Sequence, residues 1–133
     1  MYFIMKTTKE MIEVMQACER GEQIERYYDF IMNKEHRYTD GQFARLRPVK
    51  NTVWLDDMFM GIPALALNGN WEEAMKQFRL FRKKMWVAEK QLYRHGWTPT
   101  KDGYHPSFFW GRANGWALLT VCEMLDVKED DFL

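Results

Sequence analysis

Residues 51–70 read NTVWLDDMFMGIPALALNGN, and the fold of this 133-residue chain turns on them. From Val53 to Leu67 the run is apolar except for Asp56 and Asp57, and it is too long for a typical strand. It is therefore expected to be a buried helix beginning at Asn51 or Thr52, kinked or slightly widened at Pro63 and ending at Leu67, where Asn-Gly-Asn supplies stop residues. Adjacent acids in such a helix are costly unless paired, hydrogen-bonded or employed. On helical spacing Asp56 shares a stripe with Phe59, Met60 and Pro63, and Asp57 lies about 100° round, nearer Trp54 and Gly61. Both acids could simply favour the positive end of the helix dipole. A carboxyl group set among Trp, Phe and Met is also a candidate proton donor. By their spacing alone, Met58 and Met60 read as core.

Working outward, the segment after Asn70 predicts a second helix from Trp71 to about Lys90. Met75, Phe78, Phe81 and Met85 mark its inner face, while Lys76, Arg79 and Lys83 mark its outer face. Upstream, Ile24, Tyr27, Tyr28 and Ile31 fall on one helical stripe. Before Gly21, Thr7 and Glu10 frame a capping box for a helix carrying Met11, Met15 and Cys18. Asp40-Gly41 and Pro48 break the pattern between the two middle helices. The stretch LYRHGWTPTKDGYHPSFFWGRANGW, residues 92–116, reads as a long aromatic loop with Gly and Pro, and a last helix is expected over roughly 113–125, followed by an acidic tail. No segment alternates with period two, so the chain reads as a single all-α domain of about five to six helices arranged as hairpins.

Charge is balanced, with 19 basic and 19 acidic residues, so no global field favours nucleic acid or a membrane surface. No apolar run reaches about 18 residues, and the opening MYFIM is too short for a signal core; localisation is left open. Cys18 and Cys122 belong to no Cys-x-x-Cys or Cys/His cluster, which argues against a disulfide framework or a zinc site. Aromatics make up 16% of the chain. They fit either a large core or a cleft that stacks on flat ligands, and composition does not separate the two.

A second cluster, HPSFFWGRANGW, occupies residues 105–116. Trp110, Arg112 and Trp116 could clamp a carboxylate between stacking surfaces, with Arg112 and Trp116 on one helical face. The plainer alternative makes the tryptophans core and pairs Arg112 with a structural acid. His95, in LYRHGW, and His105 could bring imidazoles to the same cleft or simply face solvent.

Taken in order, NTVWLDDMFMGIPALA, LYRHGW and FFWGRANGWALL resemble the unsaturated rhamnogalacturonyl hydrolases, glycoside hydrolase family 105, which are related to the unsaturated glucuronyl hydrolases of family 88. The resemblance covers roughly residues 27–125, and YTDGQFARLRPVKNT is similar to the family's loop before its catalytic helix. It implies part of an (α/α)6 barrel. It also implies hydrolysis of an oligosaccharide, of the kind derived from pectin-type polysaccharides, that ends in a 4,5-unsaturated uronic acid. An aspartic acid protonates the double bond at C4, water adds at C5, and the resulting hemiketal opens to release the neighbouring sugar.

Carried over by position, the family's catalytic acid matches Asp56. Trp54, Met60, His95, Trp110, Arg112 and Trp116 match residues lining the sugar site, with Arg112 the expected partner of the substrate carboxylate. Asp57 and His105 are further candidates, Asp57 being read as a capping or pairing residue. The resemblance implies no metal or organic cofactor. Departures accompany it. Twelve helices need on the order of 200 residues, so about half the barrel is expected here, open to self-association through its uncovered faces. The alternatives to a working hydrolase are an incomplete fragment or helical remnant that binds sugar acids without turnover, and a helical interaction domain. The family's second active-site acid lies in a segment without a counterpart. Where the family has a histidine before the catalytic helix, this chain offers Arg45 and Arg47.

Overall fold

A computed structural model describes residues 21–100 and 107–129. The helix expected around Met11, Met15 and Cys18, and His105, lie outside these residues. Among the described residues there are four α-helices: α1 (Gly21–Asp29), α2 (Asp56–Leu67), α3 (Trp71–Met85) and α4 (Gly111–Val127). The class is all-α, and the described residues hold four of the five to six helices expected. None of these helices is long and apolar enough to cross a membrane.

Helix α2 forms the centre. Met58, Phe59, Ile62 and Leu65 are buried, as are the intervening Gly61, Pro63, Ala64 and Ala66, so nearly every side of the helix is covered. α3 packs along it through Met75, Phe78, Phe81 and Met85, and α4 through Ala113, Ala117 and Met124. Each large apolar side chain buried here contributes about 1.5–3 kcal/mol relative to exposure. The small residues on α4 let that helix approach α2 closely. At Gly61 an added Cβ would lie 3.0 Å from the Phe43 ring, so a close approach to the preceding loop depends on its bare Cα.

The Asn-Gly-Asn linker joins α2 to α3. The Asn68 side chain donates to the Ala64 carbonyl at 2.8 Å, Gly69 takes φ +82°, and the Asn70 side chain accepts from the Glu73 amide at 3.2 Å. Those are a C-terminal satisfier, a left-handed turn and an N-cap in three consecutive residues.

Helix boundaries differ from the sequence reading where short strands intervene. α2 begins at Asp56, because Val53–Trp54 (β1) pairs with Gly96–Trp97 (β4), and the Leu55 amide donates to the His95 carbonyl at 2.9 Å. α3 stops at Met85 instead of about Lys90, because Trp86–Val87 (β2) turns back onto Leu92–Tyr93 (β3). These strands are two residues each, too short to show a period in sequence. α1 runs on into a π-helical turn, Phe30–Lys34, which shifts the helical register. Ile31 is buried as expected, while Tyr27 is exposed and donates its hydroxyl to the Met60 carbonyl at 3.1 Å.

The loop before β1 is tied to α3. Gln77 accepts from the Phe43 amide at 2.9 Å and donates to the Gly41 carbonyl at 2.8 Å, and Arg37 pairs with Glu73. Further on, the Arg45 amide donates to the Thr52 carbonyl at 2.8 Å, setting Arg45 beside the entry to α2.

Candidate active site

Three segments converge at the N-terminus of α2. Backbone pairing holds His95 between β1 and the stretch before α4: its carbonyl accepts from Leu55, and its amide donates to the Phe108 carbonyl at 2.8 Å. Asn114, in the first turn of α4, completes the framework. Its side chain accepts from the Tyr93 amide at 2.8 Å and donates to the carbonyls of Tyr93, at 3.0 Å, and Trp110, at 3.1 Å. One carboxamide thus fixes the strand before His95 and the residue that opens α4.

His95 is buried, and its Nδ1 lies 3.4 Å from Oδ2 of Asp56. Both atoms are sealed from solvent, and neither has a hydrogen-bond partner among the described residues. The remaining exposure of Asp56, 21% of the side chain, therefore falls on its other oxygen and its carbon atoms. Trp54 and Trp110 both meet the imidazole edge to face, at 5.0 Å and 86° and at 4.8 Å and 87°. Phe108 adds a third ring at 5.6 Å. Burial pushes His95 below the ordinary histidine range; the Asp56 carboxylate opposes this, while the charges of Arg112 and Arg45 reinforce it. The imidazole is thus kept neutral near pH 7.

An arginine covers each tryptophan. The Arg112 guanidinium sits 3.7 Å from the Trp110 ring centre, and the Arg45 guanidinium 5.1 Å from that of Trp54. Their charges are handled differently. Arg45 donates from Nε and Nη2 to the two oxygens of Asp57, at 2.7 and 2.6 Å. Arg112 is exposed and has no carboxylate partner among the described residues. The site therefore offers a carboxyl oxygen, a neutral buried imidazole, aromatic faces and one uncommitted guanidinium, a set suited to a flat anionic ligand.

Asp56, Trp54, His95, Trp110 and Arg112 thus come together. Asp57 faces Arg45 and lines, with Met60, Tyr27 and Phe43, a cavity of about 240 Å³ on the α1 side. Met60 is exposed there rather than in the core, where its spacing had put it. Trp116 stacks on Phe59 at 5.0 Å and 25°, between α2 and α4, whereas Arg112 lies on Trp110; the shared face predicted for Arg112 and Trp116 does not join them in one clamp. Arg45, Phe108 and Asn114 were not assigned to the site from sequence. Asn114 lay within the motif that carried the resemblance, and Arg45 in the loop similar to the family's. Phe108 opens the FFWGRANGWALL motif that carried the resemblance but was given no role there. Among the described residues no three His, Cys, Asp or Glu side chains gather where a metal could bind.

The chain belongs to glycosyl hydrolase family 88, which it matches over residues 3–131. Among curated relatives it is 24% identical, across 96% of its own length, to the unsaturated rhamnogalacturonyl hydrolase YesR of Bacillus subtilis strain 168. A solved structure of a possible family 105 member from Salmonella enterica serovar Paratyphi A superimposes with a TM-score of 0.72 over 89% of this chain, at 25% identity. A family 105 glycoside hydrolase from C. acetobutylicum superimposes with a TM-score of 0.70 over 90%, at 18% identity. The chain spans 38% of the length of YesR, 34% of the Salmonella protein and 38% of the clostridial one. Its helical hairpins form part of an (α/α)6 barrel.

Proposed function

We propose that this chain carries the proton-donating part of a hydrolase for unsaturated uronyl oligosaccharides, of the type released from pectin-like polysaccharides. The observation that carries the reading is the Asp56–His95 pair, 3.4 Å apart beneath Trp54 and Trp110, with Arg112 uncommitted at its edge. Membership of family 88 and the activity in the name of the B. subtilis relative support it.

In this reading Arg112 takes the substrate carboxylate, and the faces of Trp54 and Trp110 orient the flattened sugar ring. Asp56 gives its proton to C4 of the enol ether. Water adds its oxygen at C5, and the proton lost from that water returns to the carboxylate. The C5 hemiketal then opens, and the neighbouring sugar leaves from C1. His95, neutral and unable to ionise readily, faces the inner oxygen of Asp56 and helps close it off from water. Trp116 and Met60 shape the surroundings, and no cofactor enters the steps. Apolar residues such as Leu118 and Leu119 on α4, exposed here, supply faces for a second chain to cover.

The test compares unsaturated galacturonyl-rhamnose with its saturated counterpart, following rhamnose release. Release from the unsaturated disaccharide alone is expected, because the saturated ring has no double bond to protonate. Equal release from both would point to attack at the anomeric carbon and overturn the reading.

A further inference from the structure

We propose that the Arg45–Asp57 pair is a positioning unit, which fixes Trp54 and through it the His95 ring against Asp56. This rests on the reading of Asp56 and His95 as the reacting end of the site.

The contacts form a closed circuit. Asp57 grips Arg45 through both carboxylate oxygens, at 2.7 and 2.6 Å, and the flat guanidinium lies over Trp54. Trp54 presses edge to face on His95, and His95 Nδ1 faces Asp56 Oδ2. Asp56 and Asp57 are consecutive in the first turn of α2, so the circuit leaves the helix at one residue and returns at its neighbour. Its backbone is anchored too. Arg45 is bridged to Thr52, two residues before Trp54, and its carbonyl accepts from the Asn51 amide at 2.9 Å.

The division between the two arginines follows from their partners. Asp57 engages Arg45 on the Nε side, neutralises it and fixes the plane of its guanidinium, leaving a stacking surface more than an anion receptor. A lysine supplies a point charge without the fork or the plane, so charge alone does not reproduce the arrangement. A reacting group displaced by on the order of 1 Å can lose up to roughly 100-fold in rate, which gives such a unit its leverage.

The experiment uses the full chain and the variants Asp57→Asn, Arg45→Lys and the double substitution, each checked for an unchanged thermal midpoint. The first readout is the set of His95 ring-proton resonances at pH 7.5, which report the aromatic rings around the imidazole and need no substrate. Both single variants are expected to move them in the same sense, and the double variant to match either single one. Unchanged His95 resonances in both variants would overturn the proposal. With the unsaturated disaccharide, each single variant is expected to lower kcat about tenfold with KM nearly constant, and the double variant to be no slower, as for residues acting as a unit. A rise in KM for Arg45→Lys alone, with Asp57→Asn like wild type, would also overturn it, making Arg45 a direct substrate ligand. Moved resonances in a chain that turns over no substrate would support the positioning unit and count against the hydrolase reading alone.

Discussion

Asp56 and His95 face each other across 3.4 Å through two atoms, Oδ2 and Nδ1, that are closed to solvent and have no hydrogen-bond partner among the described residues. The pair brings the start of α2 against the bend between β3 and β4. Burial makes His95 costly to protonate, against the pull of the Asp56 carboxylate. An unfolded chain takes up the histidine proton near pH 6.5, whereas in the fold burial delays it to lower pH. Above the unfolded value, neither state carries the proton and stability is unaffected. As pH falls through that value stability declines, and the loss is complete once pH is below the folded value. Urea midpoints between pH 8 and 5 should show this slope, and His95→Gln should flatten it. An equally steep slope in the variant would place its origin elsewhere.

Glu73 acts in a lower window and with the opposite shift. Burial would raise it, but hydrogen bonds from Gln77 and Arg37 and the charges of Arg37 and Lys76 outweigh burial and hold it below the usual glutamate range. Its stabilisation is present above the unfolded value and disappears as pH falls through the folded one. Glu73→Gln should therefore lower stability at pH 7 and reduce its further loss on acidification below about pH 4.3, as read by the same urea titrations.

Arg112, exposed beside Trp110, has no carboxylate partner among the described residues. A charge-assisted hydrogen bond is worth about 1.5–3 kcal/mol, or roughly 10- to 150-fold in affinity. Arg112→Ala should weaken binding of an unsaturated galacturonate by that range in calorimetric titration and leave the thermal midpoint nearly unchanged.

Gly61→Ala places a methyl group 3.0 and 3.2 Å from two atoms of the Phe43 ring. Overpacking of this kind costs about 1–3 kcal/mol, measurable as a lower denaturation midpoint. Phe43 lines the cavity shared with Met60 and Asp57, so the same substitution should disturb the Asp57 side of the site before the His95 side.

Asn114 serves three backbone groups with one side chain. Asn114→Ala strips the Tyr93 amide and carbonyl of their side-chain partner, a loss of about 1–3 kcal/mol for each buried group left unsatisfied. Stability should fall in denaturant titration, and activity should fall further than stability explains, because the strand before His95 and the residue opening α4 both lose their tie.

The helical body was legible because its periods are long. Met75, Phe78, Phe81 and Met85 announced α3, and the apolar run between Asp57 and Asn68 announced the central helix. The two-residue strands left no pattern, and they account for the errors at Thr52 and beyond Met85. The site divided along the same line. Asp56, His95, Trp110 and Arg112 stood in motifs that carried the resemblance. The Arg45–Asp57 pair joins residues in a loop and a helix through side-chain geometry that spacing does not encode. Trp116 and Met60 lay in the motifs too, but the fold places Trp116 on Phe59 and Met60 at the cavity on the far side of Asp57.

The most direct measurement of the central claim follows the ultraviolet absorbance of unsaturated galacturonyl-rhamnose with the wild-type chain and with Asp56→Asn. Binding of the disaccharide is measured on the same samples by calorimetry. Wild type is expected to consume the double bond, while Asp56→Asn binds the disaccharide comparably and leaves its absorbance intact. Loss of absorbance at the wild-type rate in Asp56→Asn would contradict it, as would a folded wild-type chain that binds the disaccharide and never consumes it.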